Sequence, residues 1–219
     1  MLAAVIKELE ANPHVPSINR TGVYYSYLQC AAAHDPGLPT PLRKLIAHSR
    51  TSERALRALE AHLLAADRLF PALAGTTQAA DVVRGGVKTN ALPERAEVIV
   101  NHRIDIHSSV AALQERIVRV VAPVAARFGL ALDAFGHAHV RSGDASTGVL
   151  RIADAFGTAL EPAPVTPMGE SGPFRLLSGT VIGVLGASPR EGYDKKTFIA
   201  PSMSTGNTGA IVFTGRIRV

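Results

Sequence analysis

A change of hydrophobic period at Gly75 constrains this sequence more than any other feature. Before it, apolar residues recur at helical spacing: Leu2, Val5, Ile6 and Leu9 fall at i, i+3, i+4 and i+7, and Leu56, Leu59, Leu63 and Leu64 form one stripe. After it the period drops to two. Thr76 to Val83 reads as a strand, Gly85-Gly86 as a turn, and Arg95 to Ile106 as a second strand. In that second strand Val98, Val100, Ile104 and Ile106 alternate with Glu97, Ile99, Asn101, Arg103 and Asp105, so one face is apolar and the other partly polar.

The punctuation between these runs sets the elements. Asn12-Pro13 stops the opening helix, because a residue before proline avoids the helical region and proline has no amide donor. The pattern from about Tyr24 to Phe70 is helical, broken at Asp35-Pro36-Gly37 and between Pro39 and Pro41, and closed by Pro71. Ser52 is positioned to cap the run Glu53 to Leu69. Tyr24, Tyr25 and Tyr27 read as packing residues with wet hydroxyls. Ser108 or Ser109 starts a helix carrying Leu113, Ile117, Val120, Val121, Val124 and Phe128 on one side and ending at Gly129; Leu130 to Phe135 is a third strand.

Helix, helical insertion, strand, strand, helix and strand is the split βαβ (ferredoxin-like) order without its first strand, and the fold class is α+β. The opening helix is already running at Leu2, so the chain reads as starting inside an element. We expect a boundary near residue 140, with the helical insertion over about 24–70. Beyond it lie a short amphipathic segment at Val149 to Leu160, a rigid run from Glu161 to Pro167, and strands at Gly179 to Leu185 and Ala210 to Val219.

Composition narrows the function. Of 219 residues, 47% are hydrophobic and 19% charged, which is a core-forming and not a disordered balance. No apolar run reaches the ~18 residues of a membrane span. The net charge of +5 is spread among acids and not gathered with aromatics, so nucleic acid is not an expected partner. One cysteine, Cys30, excludes an internal disulfide framework and a multi-thiolate zinc site.

Motif chemistry is sparse. Among eight histidines there is no His-Glu-x-x-His helix, no His-x-Asp and no adjacent Glu pair. His102 and His107 are five apart on a strand or its edge and point to opposite faces. His137 and His139 share a face without a third ligand in sequence reach. Gly169-Glu170-Ser171-Gly172 is one residue short of a nucleophile elbow, and in Gly85-Gly86-Val87-Lys88-Thr89 Val87 separates lysine from the glycine a phosphate loop requires. We read both as turns.

A set of phrases is more specific. Gly85-Gly86-Val87-Lys88-Thr89-Asn90-Ala91-Leu92-Pro93 followed by Val100-Asn101-His102-Arg103 resembles the lid strand-turn-strand of the carboxypeptidase S family, zinc metallopeptidases of the clan that also holds aminoacylase and succinyl-diaminopimelate desuccinylase. Four further phrases resemble the family in the same order: Gly75-Thr76-Thr77-Gln78-Ala79-Ala80-Asp81, Ala155 to Pro167, Leu176-Leu177-Ser178-Gly179-Thr180, and Ala200 to Thr208. The resemblance covers nearly the whole chain.

It implies a lid or dimerisation domain over 1–140 and the C-terminal portion of an α/β catalytic domain over 141–219. It implies a homodimer formed through the lid, with a peptide or N-acyl amino acid as substrate of the intact enzyme. Asn90, held by the Asn-x-x-Pro turn, would help form a neighbouring subunit's substrate pocket. Arg103 would lie near the substrate or lid interface, and Asn207 and Thr208 on a glycine-rich loop that binds a substrate carboxylate or amide. Asn90 equally suits a plain turn, and Arg103 a surface strand.

The departures bear on activity. The family's His-x-Asp, bridging Asp, Glu-Glu pair and lid histidine are expected upstream of the opening helix. After Thr208 come Gly209, Ala210 and Ile211, where the family has Asp, Thr and a basic residue. The family's mechanism uses two zinc ions to polarise the carbonyl and activate water, a Glu to take the proton, and a lid group to steady the oxyanion. The expectation is therefore zinc in the intact relative, none held by this chain, no catalytic residue within it, and no hydrolysis by the chain alone. The alternative is a non-catalytic dimerisation or interaction module from a truncated or decayed gene. Asn19-Arg20-Thr21 is a glycosylation sequon, compatible with the family's vacuolar or secreted setting, though such triplets recur by chance.

Overall fold

The structure, a computed structural model, describes residues 1–140, 148–157, 159–167, 172–188, 197–200 and 209–217. The chain divides into two compact units, one formed by 1–16, 75–163 and 205–219, the other by 17–74 and 164–204.

In the first unit, helix α1 (Leu2–Ala11) ends at Asn12 as the following proline requires. Strands β1 (Thr77–Gly85) and β2 (Arg95–Arg103) form an antiparallel hairpin, and helix α6 (Val110–Arg127) leads into β3 (Ala131–Ala134). Ser109 caps α6 by accepting from the Ala112 amide at 3.1 Å. Its far end is a Schellman motif. The Leu130 amide donates to the Ala125 carbonyl and the Gly129 amide to the Ala126 carbonyl, both at 3.0 Å, with Gly129 at φ 62°. Only glycine takes that conformation without strain.

One short hairpin partner and two later strands complete one sheet. Strand β4 (His137–Val140) pairs antiparallel with β3, β5 (Gly148–Asp154) pairs parallel with β3, and β6 (Gly209–Ile217) lies antiparallel to both β5 and β2. The order is β1-β2-β6-β5-β3-β4. β5 and β6, which follow residue 140, thus occupy the middle of the sheet between β2 and β3. The amphipathic segment expected at Val149 to Leu160 resolves into β5, whose Leu150 and Ile152 are buried while Val149 and Arg151 face out.

Both helices supply one core. Leu2, Val5 and Leu9 of α1 and Leu113, Ile117, Val121 and Val124 of α6 pack with Val98, Val100, Leu132, Leu150, Ile152 and Phe213 of the strands. Full burial of such side chains contributes about 1.5–3 kcal/mol each before ordering costs. Elsewhere, partly exposed pairs carry charge: Arg151 bonds Asp133 across strands at 3.0 Å, and Glu97 faces Arg84 across the hairpin at 3.6 Å and Arg95 along its own strand at 3.0 Å. A sheet apolar on one side and polar elsewhere follows from the period-two pattern.

The second unit is helical. Helices α2 (Val23–His34), α3 (Thr40–His48), α4 (Glu53–Ala66) and α5 (Phe70–Leu73) enclose Tyr24, Tyr25, Leu28, Ile46, Leu59, Leu63 and Phe70. Ser52 caps α4 through the Ala55 amide, as its position predicts. Pro71 starts a helical turn instead of closing one, since proline costs nothing at the first helical positions. The Tyr25 hydroxyl is not wet: it lies 2.9 Å from Ser49 Oγ inside the core. Tyr24 is also buried, whereas Tyr27 is exposed. The Ser17 amide donates to the Ala74 carbonyl at 2.8 Å, tying the two ends of this helical insertion together.

A strand expectation is also overturned. Gly179 to Leu185 is not a strand but part of helix α7 (Gly172–Gly186). A seven-residue apolar run does not distinguish the two by period. Pro173 stands in the first turn, where its missing donor is harmless, and the run continues that helix. The α+β class itself holds.

Candidate functional site

The β1–β2 hairpin carries Asn90 at its open end. Gly86, at φ 77°, turns the chain out of β1, and the connection to Arg95 exposes Val87 and Leu92 almost completely. Asn90 is itself exposed within this connection. Arg103 ends β2, paired with Thr77 at the start of β1. The nine residues of β2 span about 27 Å, so Asn90 and Arg103 stand at opposite ends of the hairpin. Asn207 and Thr208 lie outside the described residues.

A polar cluster built around one buried histidine occupies the Arg103 end. His102 is fully buried, in phase with Val98, Val100 and Ile104 on the core face of β2. Its Nε2 lies 3.3 Å from Oε1 of Gln78, its register partner on β1, while Gln78 Nε2 reaches Glu10 Oε1 at 3.5 Å. The His14 ring stands edge-on to it with centroids 5.9 Å apart. Arg116 of α6 donates to the carbonyls of Asn12 and Pro13 at 2.8 and 2.9 Å, and so holds the chain next to His14. Nδ1 of His102 is buried without a hydrogen-bond partner among the described residues.

Burial and neighbouring charge keep both rings neutral. The His102 pKa is lowered to about 4, first by desolvation and then by His14; a backbone contact with Val100 opposes the shift and Arg116 adds to it. That of His14 is lowered to about 4 by desolvation and Arg116. A base this weak and this enclosed suits a structural tie better than proton transfer near neutrality. Sequence reasoning places His102 in a pair with His107 and in the phrase Val100 to Arg103, without reading it as a buried tie. The available signal was its place in the apolar phase of β2, where a histidine interrupts an otherwise hydrophobic face.

The other histidine pair lines a shallow groove of about 400 Å³ between α6 and the β3–β4 hairpin, with Gln114, Glu115 and Arg119. His137 and His139 are exposed, their centroids 6.4 Å apart at 82°. Zinc needs three or four ligands. Among the described residues no three His, Cys, Asp or Glu side chains are grouped to hold a metal, so these residues do not fit the zinc that the family resemblance implies. No helix among the described residues is long and apolar enough to cross a membrane.

Comparison with known proteins places this hairpin and its helices in a family. Residues 1–128, which contain α1, the helical insertion, β1, β2 and α6, match the peptidase dimerisation domain. Carboxypeptidase S of Saccharomyces cerevisiae is 32% identical over 205 residues, covering 93% of this chain and 34% of that protein. An uncharacterized carboxypeptidase of Schizosaccharomyces pombe is 27% identical over 218 residues, covering 95% of this chain and 32% of that protein. The chain spans about a third of the length of these relatives. No solved structure matches it. The chain belongs to the carboxypeptidase S-like family of peptidases, of which it carries the dimerisation domain.

Proposed function

We propose that this chain works as the lid and dimerisation portion of a carboxypeptidase S-like peptidase, assembling as a homodimer and shaping a substrate pocket without performing metal chemistry itself. The observation that carries this reading is the match of the peptidase dimerisation domain to residues 1–128. The element order supports it: α1, the β1–β2 hairpin, α6 and β3 follow one another along the chain, with α1 and α6 packed into one core. On this reading 1–140 belong to the lid and 141–219 to a catalytic part, a division taken from the resemblance and not from the sheet, in which β5 and β6 lie between β2 and β3.

Asn90 has the position such a role needs. An exposed polar side chain on the outer end of a hairpin of two nine-residue strands reaches away from its own core, where it can meet a substrate carboxylate or amide in a neighbouring subunit. Arg103, Asn207 and Thr208 are proposed as further substrate contacts by resemblance. The parent activity is removal of C-terminal residues from short peptides or cleavage of N-acyl amino acids, in a vacuolar or secreted setting and with zinc supplied by other residues of an intact relative.

A second reading is favoured by the missing three-ligand cluster among the described residues: a non-catalytic interaction module. Zinc analysis and hydrolysis of blocked dipeptides on the purified chain separate the two from an active enzyme. A dimer without zinc or turnover supports the lid reading, a monomer that binds other partners supports the module, and stoichiometric zinc with turnover overturns both.

A further inference from the structure

The loop between α1 and α2 carries the sequence's one Asn-x-Ser/Thr triplet, Asn19-Arg20-Thr21, and its local geometry sorts the three side chains. Arg20 turns inward: its Nε donates to the Ser49 carbonyl at 2.8 Å and its guanidinium pairs with Glu53 at the start of α4. Asn19 and Thr21, on either side, are exposed, while Ile18 and Gly22 flanking them are buried. A bulky group on Asn19 therefore has open space, and the chain around it is anchored on both sides.

The Asn19 side chain is also held in one arrangement. Its Oδ1 accepts from the Thr21 amide at 2.9 Å and from Thr21 Oγ1 at 2.7 Å, and the Gly22 amide closes the turn on the Asn19 carbonyl at 2.9 Å. This Asx-turn directs both donors to the oxygen. Donation to the oxygen polarises the carboxamide and acidifies its N–H, while no hydrogen bond from Nδ2 is seen among the described residues. An exposed Asn whose oxygen is engaged by the hydroxyl two residues on is the arrangement a sequon uses at a surface loop.

We propose that Asn19 is an N-glycosylation site, modified when the chain enters a compartment supplied with a lipid-pyrophosphate-linked oligosaccharide. In the transfer, Nδ2 of Asn19 forms a bond to C1 of the first sugar. The bond from C1 to the pyrophosphate oxygen breaks with its electron pair on the departing lipid pyrophosphate, and Nδ2 loses one proton. Nothing is oxidised or reduced. The glycan would stand beside the Ser17–Ala74 tie at the base of the helical unit, outside its core.

The test routes the full chain into the endoplasmic reticulum of a eukaryotic cell behind an appended signal peptide. One discrete gel shift is expected, removed by peptide N-glycosidase and leaving Asp at position 19 in the released peptide. Asn19→Gln and Thr21→Ala should each lose the shift completely. Thr21→Ser, which keeps the hydroxyl and the turn, should retain it, and this guards against loss through misfolding. An unmodified wild-type chain recovered from that lumen would overturn the proposal, as would a shift that survives Asn19→Gln.

Discussion

His14 and His102 meet edge to face, their rings 5.9 Å apart at 79°, and join the segment after α1 to the core face of β2. Both pKa values are lowered from 6.5 to about 4, with burial the largest cause. The unfolded chain therefore binds protons at these two sites between about pH 6.5 and 4 that the folded chain refuses. Stability is fully present above about pH 6.5 and falls as the pH drops toward 4. For His102 the slope approaches about 1.4 kcal/mol per pH unit, and for the partly exposed His14 it is less. Urea midpoints across this range check it: His102→Leu should flatten the slope, and an unchanged slope would remove His102 as its source.

Gly129 closes α6 at φ 62°. Gly129→Ala should lower the stability of the first unit by about 1–2 kcal/mol, because a Cβ is unfavourable in the left-handed region. The measurement is the urea midpoint at constant m-value.

Two separate cores predict two separable responses. Ile117 belongs to the helix-on-sheet core and Phe70 to the helical one. Ile117→Ala should cost about 2–5 kcal/mol and Phe70→Ala about 3–5 kcal/mol. Hydrogen exchange should show the first change loosening mainly β2, β5 and α6, and the second mainly α2 to α5. Equal loosening of both units by either change would contradict the division.

Asn90→Ala touches an exposed position in the hairpin connection and should leave stability within about 0.5 kcal/mol. On the proposed reading its effect belongs to assembly with an intact carboxypeptidase relative. Co-expressed chains should lose peptide-hydrolysing activity when Asn90 is changed in this chain alone. Full activity in the mixed assembly would remove Asn90 from the neighbouring pocket.

The legible parts of the fold were those where local chemistry and long-range packing agree. Ser52, Ser109 and Gly129 mark helix ends through side-chain caps and one left-handed glycine, all readable in a few residues. The alternation of Val98, Val100 and Ile104 marks β2 because burial selects one face. Gly179 to Leu185 reads as a strand because apolar β-branched residues in a short run fit a strand or a helix equally well. The central place of β5 and β6 was not legible, since strand order is decided by pairings between distant residues such as Ile152 with Phe213. The place of Asn90 in the exposed hairpin connection was legible from a turn and a family phrase. The His14–His102 tie was not, because it depends on α1 returning its C-terminal end to β2.

The central claim is that this chain is an assembling lid. Sedimentation equilibrium of the purified chain tests it most directly. The account predicts a species of twice the 23.0 kDa chain mass at micromolar concentration. A single species at the chain mass throughout the concentration range would contradict it.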